Sequence, residues 1–174
     1  MDVARGLAER GAPEGTVILA DAQTAGRGRA GHVWFSPPGQ SLYLSVLLRP
    51  RIAPAQAGWI TMSAALAVID ALEDLRDAVA AAPFSIAIKW FNDVLVNGRK
   101  VCGILVESSI TNDCFDYAVL GIGLNVNTRF DDAPAGLCRP SVQSVCRSPI
   151  RRNNCSSANS RLISTPSSRH RLVA

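Results

Sequence analysis

The chain is poor in the residues from which most catalytic and metal sites are assembled. It has two histidines in 174 residues, His32 and His170, and neither shows triad or metal-ligand spacing. No serine lies in a G-x-S-x-G context, so nucleophilic hydrolase chemistry has nothing to stand on. The five cysteines (Cys102, Cys114, Cys138, Cys146, Cys155) are odd in number and include no C-x-x-C pair. That argues against a disulfide framework and a zinc site, and they are read as reduced thiols. The longest apolar runs, such as 64–69 and 41–48, fall well short of the roughly 20 residues that cross a bilayer, so no membrane span is expected. The N-terminus lacks a basic segment followed by an apolar core and a cleavage site, which makes the cytoplasm the expected compartment.

Acid is missing from one end. Residues 138–174 hold seven arginines and no Asp or Glu, for a charge of +7, whereas residues 1–137 hold 11 Lys+Arg and all 14 Asp+Glu, for −3. The overall +4 therefore lives in the tail. The tail also has nine serines, three prolines and no aromatic residue. Such a segment buries too little to offset its ordering entropy, and the expectation is disorder. Its abrupt change of character is also what a shifted reading frame would produce. With no aromatic to stack on bases, its charge gives only salt-sensitive, sequence-independent attraction, so nucleic acid is not an expected partner.

The remaining 137 residues suit one domain with a real core. Asp2 is a plausible N-cap for a helix over 3–10 that Gly11 closes. A short β-rich run follows at 16–20, then a glycine- and arginine-rich loop at 22–31. Residues 41–49 alternate as a mostly buried strand. The run Trp59, Met62, Leu66, Ile69, Leu72, Leu75, Val79 recurs at three- and four-residue steps, predicting an amphipathic helix over 57–82 that Pro83 stops. Strands are predicted at 85–90, 94–96, 101–106 and 117–126, with Asn97-Gly98 as a tight hairpin turn. This is no regular βαβ alternation. The predicted class is α+β, with a mixed or mostly antiparallel sheet and flanking helices.

Chemistry could sit in three places. The loop Gly26-Arg27-Gly28-Arg29-Ala30-Gly31-His32 combines backbone freedom with cations and suits an anionic ligand, though it is not a P-loop. Taken alone it could equally be a solvated turn. Lys89-Trp90-Phe91-Asn92-Asp93 and Lys100, across the hairpin, gather cation, carboxylate and amide, or else form an exposed ion pair. Gly121-Ile122-Gly123-Leu124-Asn125 lacks the third glycine and following helix of a dinucleotide loop, so its glycines mark a bulge or a close approach.

Read in order, Gln23-Thr24-Ala25-Gly26-Arg27-Gly28-Arg29, Trp34-Phe35-Ser36-Pro37, Leu42-Tyr43-Leu44-Ser45, Lys89-Trp90-Phe91-Asn92-Asp93-Val94, Gly98-Arg99-Lys100-Val101-Cys102-Gly103-Ile104-Leu105-Val106-Glu107 and Gly121-Ile122-Gly123-Leu124-Asn125 closely resemble the catalytic domain of biotin protein ligases (biotin–[acetyl-CoA-carboxylase] ligases) over about residues 2–130. That family's fold resembles class II aminoacyl-tRNA synthetases and lipoate ligases. The resemblance implies a catalytic domain over 1–137 and an ATP-dependent, two-step ligation. Biotin's carboxylate attacks the α-phosphate of ATP to give biotinyl-5′-AMP and pyrophosphate; a lysine amine on a carboxylase's biotin carrier domain then displaces AMP.

By the same resemblance Arg29 and Lys100 are the catalytic cations, and Gln23, Gly26, Arg27, Gly28, Trp34 and Gly103 join them in binding biotin and the adenylate. Asn92, Asp93 and Asn125 fall on the nucleotide side. A Mg²⁺ carried on the phosphates is implied, with no protein metal ligand assigned, and a homodimer is compatible with the family. Two departures stand out. The family's strand ending in Ser-Thr-Asn is absent ahead of the first helix, and Phe91 stands where the family has proline. A catalytically impaired biotin- or carrier-binding relative, or a lipoate ligase, is the alternative reading.

Overall fold

The computed structural model describes residues 1–78, 84–130, 133 and 162–163. The elements run α1 (Asp2–Glu9), β1 (Val17–Ala20), β2 (Leu42–Leu48), α2 (Gly58–Ala78), β3 (Ile86–Lys89), β4 (Asp93–Val96), β5 (Arg99–Thr111), β6 (Cys114–Leu124) and β7 (Leu162–Ile163). They build one sheet in the order β3-β4-β5-β6-β2-β1-β7, with every neighbouring pair antiparallel. The α+β class with an antiparallel sheet is what the sequence predicted.

Two hairpins set the sheet's register. Asn97 (φ 50°) and Gly98 (φ 74°) turn β4 into β5, as the Asn-Gly pair predicts. Asn112 (φ 50°) and Asp113 (φ 56°) do the same between β5 and β6. This second turn went unread in the sequence, so β5 runs to Thr111 and β6 starts at Cys114, lengthening both strands.

The two helices lie on opposite faces. Ala64, Ala65 and Leu72 of α2 pack with Val94, Val101, Ile104 and Leu120. Ala4 and Ala8 of α1 pack with Leu47 and Val119. β2 is thus buried on both sides, with Val46 and Leu48 toward α2 and Leu47 toward α1.

Several expectations are corrected. The predicted α2 stripe is buried only in part: Leu72 is in the core and Ile69 packs against it, but Trp59 is 68% exposed, Leu66 53% and Leu75 49%. Small residues, Thr61, Ala64 and Ala65, complete the face toward the sheet, because they let the helix approach a β surface closely. Over Pro54–Arg76 this region is long and apolar enough, by length and composition, to cross a bilayer, contrary to the expectation from uninterrupted runs; its Ala64, Ala65 and Leu72 belong to the core. Met1, not Asp2, occupies the N-cap of α1. The predicted end of α2 at 82 and its stop at Pro83 lie outside the described residues. So does the 138–174 tail, apart from Leu162 and Ile163, which pair with Ile18 and Val17. An edge strand such as β1 offers unpaired backbone groups for this short addition.

Candidate functional site

On the α1 face, three glycines of β5 and β6 thin the side-chain cover of the sheet at one place. Gly103, Gly123 and Tyr43 form one row across the three strands, and Leu105, Gly121 and Ser45 the next. Missing Cβ atoms leave a depression there. With the N-terminus of α1 on one side and the 21–41 loop on another, it becomes a cavity of about 280 Å³.

The loop is organised by its own backbone. Gly28 N donates to His32 O (2.7 Å), His32 N to Arg29 O (3.1 Å) and Trp34 N to Gly26 O (2.9 Å). Ala30 and Gly31 take positive φ at the tip. A Cβ on Gly26 would lie 2.2 Å from Trp34 O, so only glycine closes this small hairpin. The amides of Gly28, His32 and Trp34 are therefore spent inside the loop. Side chains supply the charge.

The loop also lays Trp34 on the glycine floor. Its ring atoms come within 2.6 Å of where a Cβ on Gly103 or Gly123 would sit. Its Nε1 is buried with no hydrogen-bond partner among the described residues. Met1 Sδ occupies the same position over Gly121, at 2.7 Å from a Cβ there.

The two loop arginines do different things. Arg27 donates through Nη1 and Nη2 to Asp2 (3.0 and 2.8 Å), and through Nε and Nη2 to Glu107 (3.1 and 3.3 Å), engaging four of its five N–H groups. Arg5 Nη2 reaches the same Glu107 at 2.5 Å. A hydrogen bond from Arg27 holds the Asp2 carboxyl below its ordinary range. Burial works against ionisation of Glu107, but hydrogen bonds from Arg27 and Arg5 outweigh it and leave that pKa lowered too. Arg29 keeps its edge nearly free. Its guanidinium lies over the Phe91 ring, 4.2 Å from the centroid, and Nη1 makes one long contact of 3.4 Å to Asn92 Oδ1.

Lys100 reaches over Gly103 from the start of β5. Its Nζ is 2.7 Å from Asp93 Oδ1 and 5.2 Å from the Trp34 ring centroid. Asn92 is held by the sheet, with Nδ2 donating to Ile104 O (3.2 Å) and its own carbonyl accepting from Ile104 N (2.9 Å).

Among the residues singled out in the sequence, Gln23, Arg27, Gly28, Arg29, Trp34, Asn92, Lys100 and Gly103 all line the cavity. Gln23 Nε2 donates to Ser36 Oγ (2.9 Å) at its edge. Gly26 is buried behind Trp34. Asp93 reaches the site through Lys100. Asn125 is 1% exposed and does not line the cavity; its backbone N donates to Val101 O (2.8 Å) and its Oδ1 accepts from Thr128 (3.3 Å). Glu107 and Met1 were assigned no role in the sequence, and Asp2 only that of a helix cap. Strand alternation from Gly103 through Leu105 to Glu107 was the signal that could have placed Glu107 on this face.

Cavity, flat glycine floor and two converging cations suit a small ligand with an apolar body and an anionic end. The chain is similar to known proteins of that kind. It is 44% identical over 128 residues to the bifunctional ligase/repressor BirA of Bacillus spizizenii, covering 74% of this chain and 38% of that protein. It is 42% identical over 114 residues to the biotin--[acetyl-CoA-carboxylase] ligase of Mycobacterium tuberculosis, covering 65% and 40%. In structure it resembles the biotin protein ligase of Leishmania major in complex with biotinyl-5-AMP, with a TM-score of 0.63 at 27% identity, covering 83% of this chain and 58% of that one. The chain thus spans about two fifths of the length of these sequence relatives. The model of the biotin/lipoate A/B protein ligase family matches residues 3–125, and the chain belongs to that family.

Proposed function

We propose that this chain carries the adenylating site of a biotin protein ligase, which joins biotin to ATP and passes it to a lysine on a biotin carrier domain. The observation that carries the reading is that Arg29 and Lys100, 71 positions apart in the sequence, line one cavity whose floor includes Gly103, Gly121 and Gly123.

The reaction's difficulty is electrostatic. A carboxylate attacks a phosphate that repels it, so both must be neutralised and held in line. Lys100 places an ammonium at the junction, and Asp93 fixes its position. Arg29 presents guanidinium N–H groups to phosphate oxygens. Arg27 ties the loop to α1 and β5 through Asp2 and Glu107. Gly103 and Gly123 let a flat ligand lie against the strands, with Trp34 moving from the floor to cover it and exclude water. Gln23 bounds the biotin end; Asn92 and Asp93 bound the nucleotide end, with Asn125 bracing the strand end behind them.

One carboxylate and one amide, Asp93 and Asn92, suit a Mg²⁺ that arrives on the triphosphate and keeps its waters, and they form no protein cage. Residues 1–137 are the ligase unit and 138–174 an appended tail, in a protein of the cytoplasm whose partners are ATP and a carboxylase's carrier domain.

The test is biotin-dependent exchange of labelled pyrophosphate into ATP. Exchange clearly above that of an Arg29→Ala/Lys100→Ala double variant is expected; exchange no greater than that variant's refutes the reading. Competition by lipoate, run alongside, decides which acid the cavity prefers.

A further inference from the structure

We propose that Phe91 is a positioning residue for Arg29, holding the guanidinium by its face so that its edge stays open to the phosphates; this rests on the adenylating function proposed above. Arg27 and Arg29 lie two residues apart in the same loop and carry the same group, yet the fold treats them oppositely. Arg27 meets carboxylates at its edge, which consumes the N–H groups an anion would need. Arg29 meets the Phe91 ring at 4.2 Å, a contact that uses the π face and no N–H. Its one edge contact, 3.4 Å to Asn92, is long enough to yield to a phosphate oxygen.

The holder is itself anchored. Phe91 precedes Asn92, which is bonded on both sides to Ile104 of β5. Trp90, 77% exposed, lies beside the ring at 5.9 Å between centroids. The ring thus fixes a long, exposed side chain on a loop with glycines at 26, 28 and 31. Ordering it before ligand arrives removes an entropic cost from binding. A proline at this position would have no aromatic face and could not do this.

The experiment compares the unaltered chain, Phe91→Leu, Phe91→Tyr, Arg29→Ala and the Arg29→Ala/Phe91→Leu double variant. In pyrophosphate exchange, Phe91→Leu should raise the KM for ATP about 2- to 5-fold, the strength of an exposed cation–π contact. It should leave the melting temperature unchanged, and Phe91→Tyr should restore the KM. On the Arg29→Ala background Phe91→Leu should have no further effect. An equal penalty on both backgrounds, or a tyrosine variant as poor as leucine, overturns the proposal. NMR supplies a readout independent of turnover: ring current should shift the Arg29 side-chain protons upfield, and Phe91→Leu should abolish the shift. If the unaltered chain shows no exchange, the functional reading fails, while the presence or absence of that shift still decides whether Phe91 positions Arg29.

Discussion

Adding one methyl group to the cavity floor should displace Trp34 and close the site together. In Gly123→Ala the new Cβ would lie 2.6 Å from Trp34 Cε2 and Nε1 and 2.8 Å from Cζ2. Favourable carbon contacts sit at about 3.5–4.0 Å, so the indole must retreat by about 1 Å. Overpacking of this kind costs about 1–3 kcal/mol. At roughly 2–4 °C per kcal/mol for a chain of this size, the melting temperature should fall by about 2–12 °C. Among the described residues the indole Nε1 has no partner to lose, which favours the lower part of that range. Binding should suffer more, because any ligand lying on the floor meets the same methyl. Calorimetric titration with biotin should show at least a tenfold loss. The control is Gly58→Ala at the start of α2, where a Cβ meets nothing within 4 Å and the reduced freedom of the unfolded chain should raise stability by up to about 1 kcal/mol. Unchanged melting and unchanged biotin binding in Gly123→Ala would refute the claim that Trp34 and the ligand share this floor.

Three further outcomes follow from the ion pairs and thiols. Lys100→Met should abolish exchange and also destabilise the fold by about 1–3 kcal/mol, since it leaves the Asp93 carboxylate, 14% exposed, without its cation; Lys100→Met/Asp93→Asn should recover the stability and not the activity, as thermal melts and exchange would show. Asp2 and Glu107 both titrate below their ordinary values of 3.8 and 4.5, so the stability they add is present above those values and is lost as pH falls through the lower, folded-state values. Melting temperature should drop on acidification below about pH 4.5, less steeply in Glu107→Gln, and identical pH profiles would discount the Arg27 network. Burial pushes the Cys102 thiol up to about 12, whereas Cys114 is exposed, so iodoacetamide at pH 8 should label Cys114 in the folded chain and reach Cys102 only in urea; peptide mass mapping would expose equal labelling.

What the sequence by itself determined is what depends on neighbours along the chain. Asn97-Gly98 specifies a hairpin because two adjacent residues must accept positive φ, and the alternation of 41–49 specifies a strand because its period is local. The glycine and basic motifs likewise marked residues that come to line one cavity. Tertiary structure alone decided which arginine is free, since the carboxylates that engage Arg27 lie 25 and 80 positions away. It also decided the buried face of α2: a sheet that demands close approach selects Ala64 and Ala65 beside Leu72 over Trp59 and Leu66, and apolar periodicity cannot tell which members of a stripe pack and which face water. The cavity floor has the same origin, because Gly103, Gly121 and Gly123 make a surface only when two strands pair in one register and Met1 and Trp34 come to rest on it.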